Sequence, residues 1–87
     1  MAYVAAKVFD AHNDLFQKRT EVMLVPSETQ GQLTLNYENV QRLSITQFYR
    51  LVLEDGREGR ILFNQITPSA LEQSTATFAV VEPFSQR

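Results

Sequence analysis

The chain has 87 residues, 44% apolar and 21% charged, with eight Lys and Arg against ten Asp and Glu for a net charge of −2. That balance is too apolar for a disordered chain, and it argues against a protein that grips nucleic acid through its phosphates. Cysteine is absent, which excludes a disulfide framework, a thiolate metal site and a cysteine nucleophile, and which fits a cytoplasmic setting.

A chain of this length removes roughly 60–65% of its unfolded surface from water. That supports one modest core, so a single domain over 1–87 is expected. No apolar run approaches the roughly 18–20 residues of a membrane span, and no membrane partner is expected. The opening MAYVAAKVFD has neither a basic n-region nor a long apolar h-region, and it reads as part of the fold.

Alternation is the strongest signal along the chain. YVAAKVF (3–9) forms the first strand, with Val4, Ala6 and Val8 on one side. DAHND (10–14) is a cluster of turn formers, after which LFQKRTEV resumes the chain. RTEVMLVP (19–26) is rich in branched residues and stops at Pro26, and PSETQG is a polar connection closed by Gly31. In QLTLNYEN, Leu33, Leu35 and Tyr37 share one face while Gln32, Thr34, Asn36 and Glu38 share the other. These two strands form a hairpin with a loose loop. ENVQRLSIT (38–46) reads two ways. Val40 and Leu43 share a face on a helical turn, whereas Ser44, Ile45 and Thr46 favour strand, so a short turn or bulge is expected.

LVLEDGREGRILF (51–63) holds a hairpin whose loop length decides which side chains are buried. A two-residue Asp55-Gly56 loop pairs Glu54 with Arg57 and mixes charged and apolar groups on both faces. A three-residue loop, Glu54 to Gly56 with Gly56 left-handed, puts Tyr49, Leu51 and Leu53 on one face with Gly59, Ile61 and Phe63. Because a one-residue slip moves every side chain across the sheet, the cleaner segregation selects the three-residue loop. Gly59 then lies opposite Leu51 on the inner face, where the missing side chain admits a neighbour. Arg50 and Arg60 face each other outward, with Glu58 close enough to relieve their repulsion.

Beyond Phe63, Pro68-Ser69 breaks the strand, and SALEQS offers a helical turn with Ser69 as its cap. The final strand is expected over 76–82, ended by Pro83. The sum is an all-β chain of about six antiparallel strands, mostly hairpin-linked, with at most one or two short helical turns. Strand spacing leaves two architectures open, a small closed barrel and a two-sheet sandwich.

Sites for chemistry are sparse. Asp10, His12 and Asp14 alternate as in a calcium loop, with Glu21 at the twelfth position, but Leu15 stands where the tight turn needs glycine. His12 is the only histidine and no G-x-S-x-G elbow exists, so no nucleophile–base pair can be assembled and an enzyme is not expected. The glycines at 31, 56 and 59 are dispersed, without a phosphate-cradling loop. Arg57 and Arg60 are three apart on a strand and point to opposite faces. No cofactor or metal is therefore expected.

The outer face of the second hairpin is more informative. It carries Phe48 opposite Leu62, with Val52 farther along and Arg50 and Arg60 between. Three large apolar groups on a wet face ask for a cover, which the Leu71 segment, the Pro83-Phe84 tail, a second sheet or a partner could supply. The leading expectation is a non-enzymatic module that binds a protein partner, or a second copy of itself, through Phe48, Arg50, Val52, Arg60 and Leu62 or through an exposed strand edge. The alternative is a small barrel that binds nucleic acid or a nucleotide with Arg50, Arg57 and Arg60, although the acidic balance makes nucleic acid the weaker partner.

Overall fold

The computed structural model describes residues 3–68 and 73–86. Six strands and one short helix follow in the order β1 (Tyr3–Phe9), β2 (Leu15–Leu24), β3 (Gln30–Asn36), α1 (Tyr37–Arg42), β4 (Tyr49–Leu53), β5 (Glu58–Pro68) and β6 (Gln73–Ser85). All pairings are antiparallel, and the strands close in the order β1-β2-β3-β6-β5-β4, with β4 returning to β1. The architecture is a barrel and not a sandwich. Closure follows from the inward set of every strand converging on one axis: Val8, Val22, Leu33, Leu51, Ile61 and Phe78, one from each strand, are all fully buried. Four rings run through the core edge to face, from Phe16 to Tyr49 (5.0 Å), Tyr49 to Phe63 (5.1 Å) and Phe63 to Phe78 (6.2 Å).

The β4–β5 hairpin has the three-residue loop. Arg50 pairs with Arg60, Leu51 with Gly59 and Tyr49 with Ile61. The Leu53 N–H donates to the Arg57 carbonyl at 2.8 Å, and Gly56 turns the corner at φ +94°. Gly59 admits the neighbour that its position implies, since a Cβ there would lie 2.8 Å from both the Glu82 carbonyl oxygen and the Phe84 ring. Phe84 thus packs against the core at Gly59.

Two expectations about the elements change. β6 begins at Gln73 and runs through Pro83 to Ser85. Proline is tolerated there because the β5–β6 register shifts twice between Glu58 and Ile61, so Pro83 falls in an irregular stretch. The second change is at 37–42, where a six-residue helix replaces the expected turn or bulge. A helix this short gains its stability from packing, and Val40 and Leu43 rest on the core. The expected turn over SALEQS, including Leu71, lies outside the described residues.

α1 plugs the barrel end that β2 and β3 leave open. Their ladder covers only Val22–Leu24 against Gly31–Leu33. Below it, buried side chains take over the backbone's role. The Thr20 hydroxyl donates to the Thr34 carbonyl (2.6 Å) and accepts the Thr34 N–H (3.2 Å). The Gln17 carbonyl oxygen accepts from the Asn39 side chain at 2.5 Å, and Arg42 donates to Asn39 at 2.6 Å. Gln17, Thr20 and Asn39, all buried, therefore have hydrogen-bond partners, as burial requires.

Candidate interaction cleft

The β1–β2 turn, the segment before β4, and the outer sides of β4 and β5 enclose an open cleft of about 600 Å³. Its lining includes His12, Asn13, Phe48, Arg50 and Arg60. The turn is shaped from within: the Asp10 carboxylate accepts the N–H groups of His12 and Asp14, both at 2.9 Å, and Asn13 adopts a left-handed φ of 66°. Asn13 is one of the residues that tolerate this conformation.

Arg50 forms the rigid wall of the cleft. One terminal nitrogen donates to Glu58 at 2.8 Å, the other donates to Asn13 at 2.6 Å, and the guanidinium lies 4.4 Å from the centre of the Phe9 ring. One side chain thereby ties β4 to β5, to the β1–β2 turn and to β1. Arg60 is looser, 57% exposed and 3.5 Å from Glu82. Phe48 stands on the rim, 46% exposed.

The five residues singled out from sequence do not form one patch. Phe48, Arg50 and Arg60 share the cleft. Val52 lies between Lys7 of β1 and Glu58 of β5, and it lines a separate groove with Lys18 and Arg19. Leu62 is half-buried opposite Ala79 and lines neither. The expected Phe48–Leu62 pair does not form, because the β4–β5 ladder starts at Tyr49 and Ile61. The Ser44 N–H donates to the Tyr49 hydroxyl at 3.1 Å, folding 44–48 into a tight loop that carries Phe48 off the strand. His12 and Asn13 join the site from a loop read as a plain turn. Nothing in the spacing of DAHND places it beside Arg50, 37 residues on.

Arg57 works at the opposite end of the barrel. It bonds Asp55 at 2.9 Å and both carboxylate oxygens of Glu28 at 3.0 Å, joining the β4–β5 loop to the β2–β3 loop. The Arg57 N–H and then its guanidinium hold the Asp55 carboxyl below the usual aspartate value. Asp55 and then Glu28 raise the Arg57 guanidinium. Arg57 and Arg60 therefore do not converge on a shared anion. Among the described residues, no three His, Cys, Asp or Glu side chains are grouped to hold a metal ion, and no helix is long and apolar enough to cross a membrane.

No family model, curated protein or solved structure matches this chain.

Proposed function

We propose that the chain is a non-catalytic protein-binding module whose docking surface is the rim of the Phe48 cleft. The observation that carries this reading is a large aromatic side chain, 46% exposed, beside an arginine already locked in place. Aromatic and arginine side chains dominate the energetic centres of protein interfaces, and a side chain ordered before binding loses little entropy in the complex. Leu15 and Ile45, also exposed, lie within two residues along the chain of Asn13 and Thr46, which line the cleft. The proposed partner is a protein, no cofactor is involved, and the cysteine-free chain is assigned to the cytoplasm, which cell fractionation checks.

The test compares Phe48→Asp with Val81→Asp, an equally exposed apolar residue on β6. Crosslinking in cells followed by mass spectrometry is expected to show a partner retained by Val81→Asp and lost by Phe48→Asp, with unchanged melting temperatures. Equal retention by both would remove the cleft from the reading. The nucleic-acid alternative rests on Phe48 and Arg60, because Arg50 and Arg57 hold carboxylates at 2.8 to 3.0 Å, whereas Arg60 is 57% exposed and 3.5 Å from Glu82. Titration with single-stranded oligonucleotides at two salt concentrations separates it, since phosphate contacts release counterions.

A further inference from the structure

The cations of the barrel divide into two sets. Arg50, Arg57 and Arg60 each pair with a carboxylate, and Arg42 donates to Asn39 and lies over the Phe16 ring. Lys7, Lys18 and Arg19 differ: among the described residues no carboxylate stands within ion-pair distance of any of them. All three line one open groove of about 400 Å³ on the outside of β1, β2 and β4, floored by Ala5 and Val52. A bulge in the β1–β2 ladder brings them together. Ala6 pairs with Thr20 and Val8 with Gln17, so Lys7 alone stands opposite both Lys18 and Arg19. Ala6, Val8, Gln17 and Thr20 are buried, whereas Lys7, Lys18 and Arg19 between them are exposed, so the three cations share the outer face. In a regular strand the neighbours Lys18 and Arg19 would point to opposite sides of the sheet. Like charges facing each other across a ladder repel, and this repulsion persists in a chain with an excess of carboxylates. Glu58, next to Val52 in the ladder, is bonded to Arg50, while Glu21 opposite Ala5 and Glu54 at the groove flank the trio.

We infer that this groove binds a short acidic segment of a partner protein, whose carboxylates pair with Lys7, Lys18 and Arg19 while an aliphatic side chain between them rests on Val52. Charge complementarity selects an anionic ligand, and such a ligand relieves the repulsion within the trio. The floor selects a ligand that is not anionic throughout. Lys7 and Val52 are direct ladder partners, and Val52 is half-buried, so a chain that reaches the Lys7 ammonium also crosses an apolar surface. A nucleic acid fits less well. Its continuous phosphates would meet Glu54 in the same groove, and no aromatic ring lines that groove for a base to stack on. A lone phosphate is held by arginine forks and converging backbone amides, whereas this groove has one arginine and no glycine. The groove shares no lining residue with the Phe48 cleft, so the inference stands apart from the reading given to that cleft.

The experiment is an NMR titration of the full chain, following backbone amides, with the peptide acetyl-Glu-Glu-Leu-Glu-Glu-amide at low salt. Saturable shifts are expected at Lys7, Lys18, Arg19 and Val52, and binding is expected to weaken as salt is added, since exposed pairs are screened. The same peptide with glutamine in place of each glutamate is expected to leave those amides unmoved. Replacing its leucine by glycine should weaken binding roughly fivefold, through loss of one partly buried aliphatic contact. Lys18→Glu is expected to weaken binding roughly tenfold and to melt no lower than the unaltered chain, because it removes a like-charge contact. Gln65→Glu, which adds negative charge on β5 away from the groove, is expected to bind as the unaltered chain does. The shift map and the control peptides need no variant, so they decide the matter even where Lys18→Glu fails to fold. No saturable shift in the unaltered chain overturns the proposal, as do shifts that the glutamine peptide reproduces or that a folded Lys18→Glu chain retains in full. Shifts centred on Phe48 and Arg60 also overturn it, and assign acidic partners to the cleft. Tighter binding of oligothymidine or of inorganic phosphate than of the peptide overturns the choice of a protein partner.

Discussion

Gly59 shows how one missing side chain sets the shape of the molecule. A methyl group there would stand 2.8 Å from a carbonyl oxygen and from the Phe84 ring. Gly59→Ala is therefore expected to lower stability by about 1–3 kcal/mol, measured by urea unfolding, as overpacking does in tight cores. Phe84→Ala should recover part of that loss and not all of it, because the Glu82 backbone cannot step aside as a ring can. Gly56 fails for a different reason. At φ +94° a Cβ would meet the far end of the flexible Gln86 side chain at 3.3 Å, and Gly56→Ala is expected to cost about 1–2 kcal/mol, chiefly through backbone strain. The inward position of Gly59 was legible in sequence, since only the three-residue loop segregates LVLEDGREGRILF cleanly. That Phe84 fills the space was not, because the reading stopped the last strand at Pro83, and a proline looks the same before an irregular stretch as before a loop.

At the scale of elements, the alternating strands were readable and the parts that join them were not. α1 has six residues, fewer than two turns, so no periodic apolar stripe could announce it. Its anchor is polar. Gln17 and Asn39 look like surface residues in sequence and lie buried together. Asn39→Ala is expected to leave the Gln17 carbonyl oxygen short of its best donor and to cost about 1–3 kcal/mol, with loss of helical signal first. The loop ends make an electrostatic prediction. Asp55 has a lowered pKa in the folded state, so its contribution is complete above the unfolded aspartate value and is lost as pH falls through the folded one. Melting temperature should therefore decline on acidification into and below the usual aspartate range, and Asp55→Asn should flatten that part of the profile. The effect is a modest one, because the pair is solvent-exposed and screened by salt.

For the molecule as a whole, the weak link is β4, five residues that close the barrel on both sides. It pairs with β1 from Ala6 to Phe9 and with β5 from Glu58 to Ile61, so losing it opens two seams at once. Strands β1, β2, β3, β6 and β5 form the rest of the sheet, but their inner residues Val8, Val22, Leu33, Leu35, Ala76, Phe78 and Phe63 are covered only while the barrel is shut. An open five-stranded sheet would expose that face to water, at roughly 1.5–3 kcal/mol for each large side chain. A half-open state is thus disfavoured more strongly than the loss of β4 pairing alone would suggest. Leu51 is fully buried at the centre of β4, opposite Gly59. Leu51→Ala is expected to cost about 2–5 kcal/mol, a large part of the 5–15 kcal/mol typical of a domain. Its unfolding should remain all-or-none, with far-ultraviolet dichroism of the strands and tyrosine fluorescence, to which the buried Tyr49 contributes, changing together. Separate transitions, with strand signal outlasting the tyrosine signal, would show instead that the other five strands hold together without closure, and β4 would then be a gate on the barrel and not its keystone.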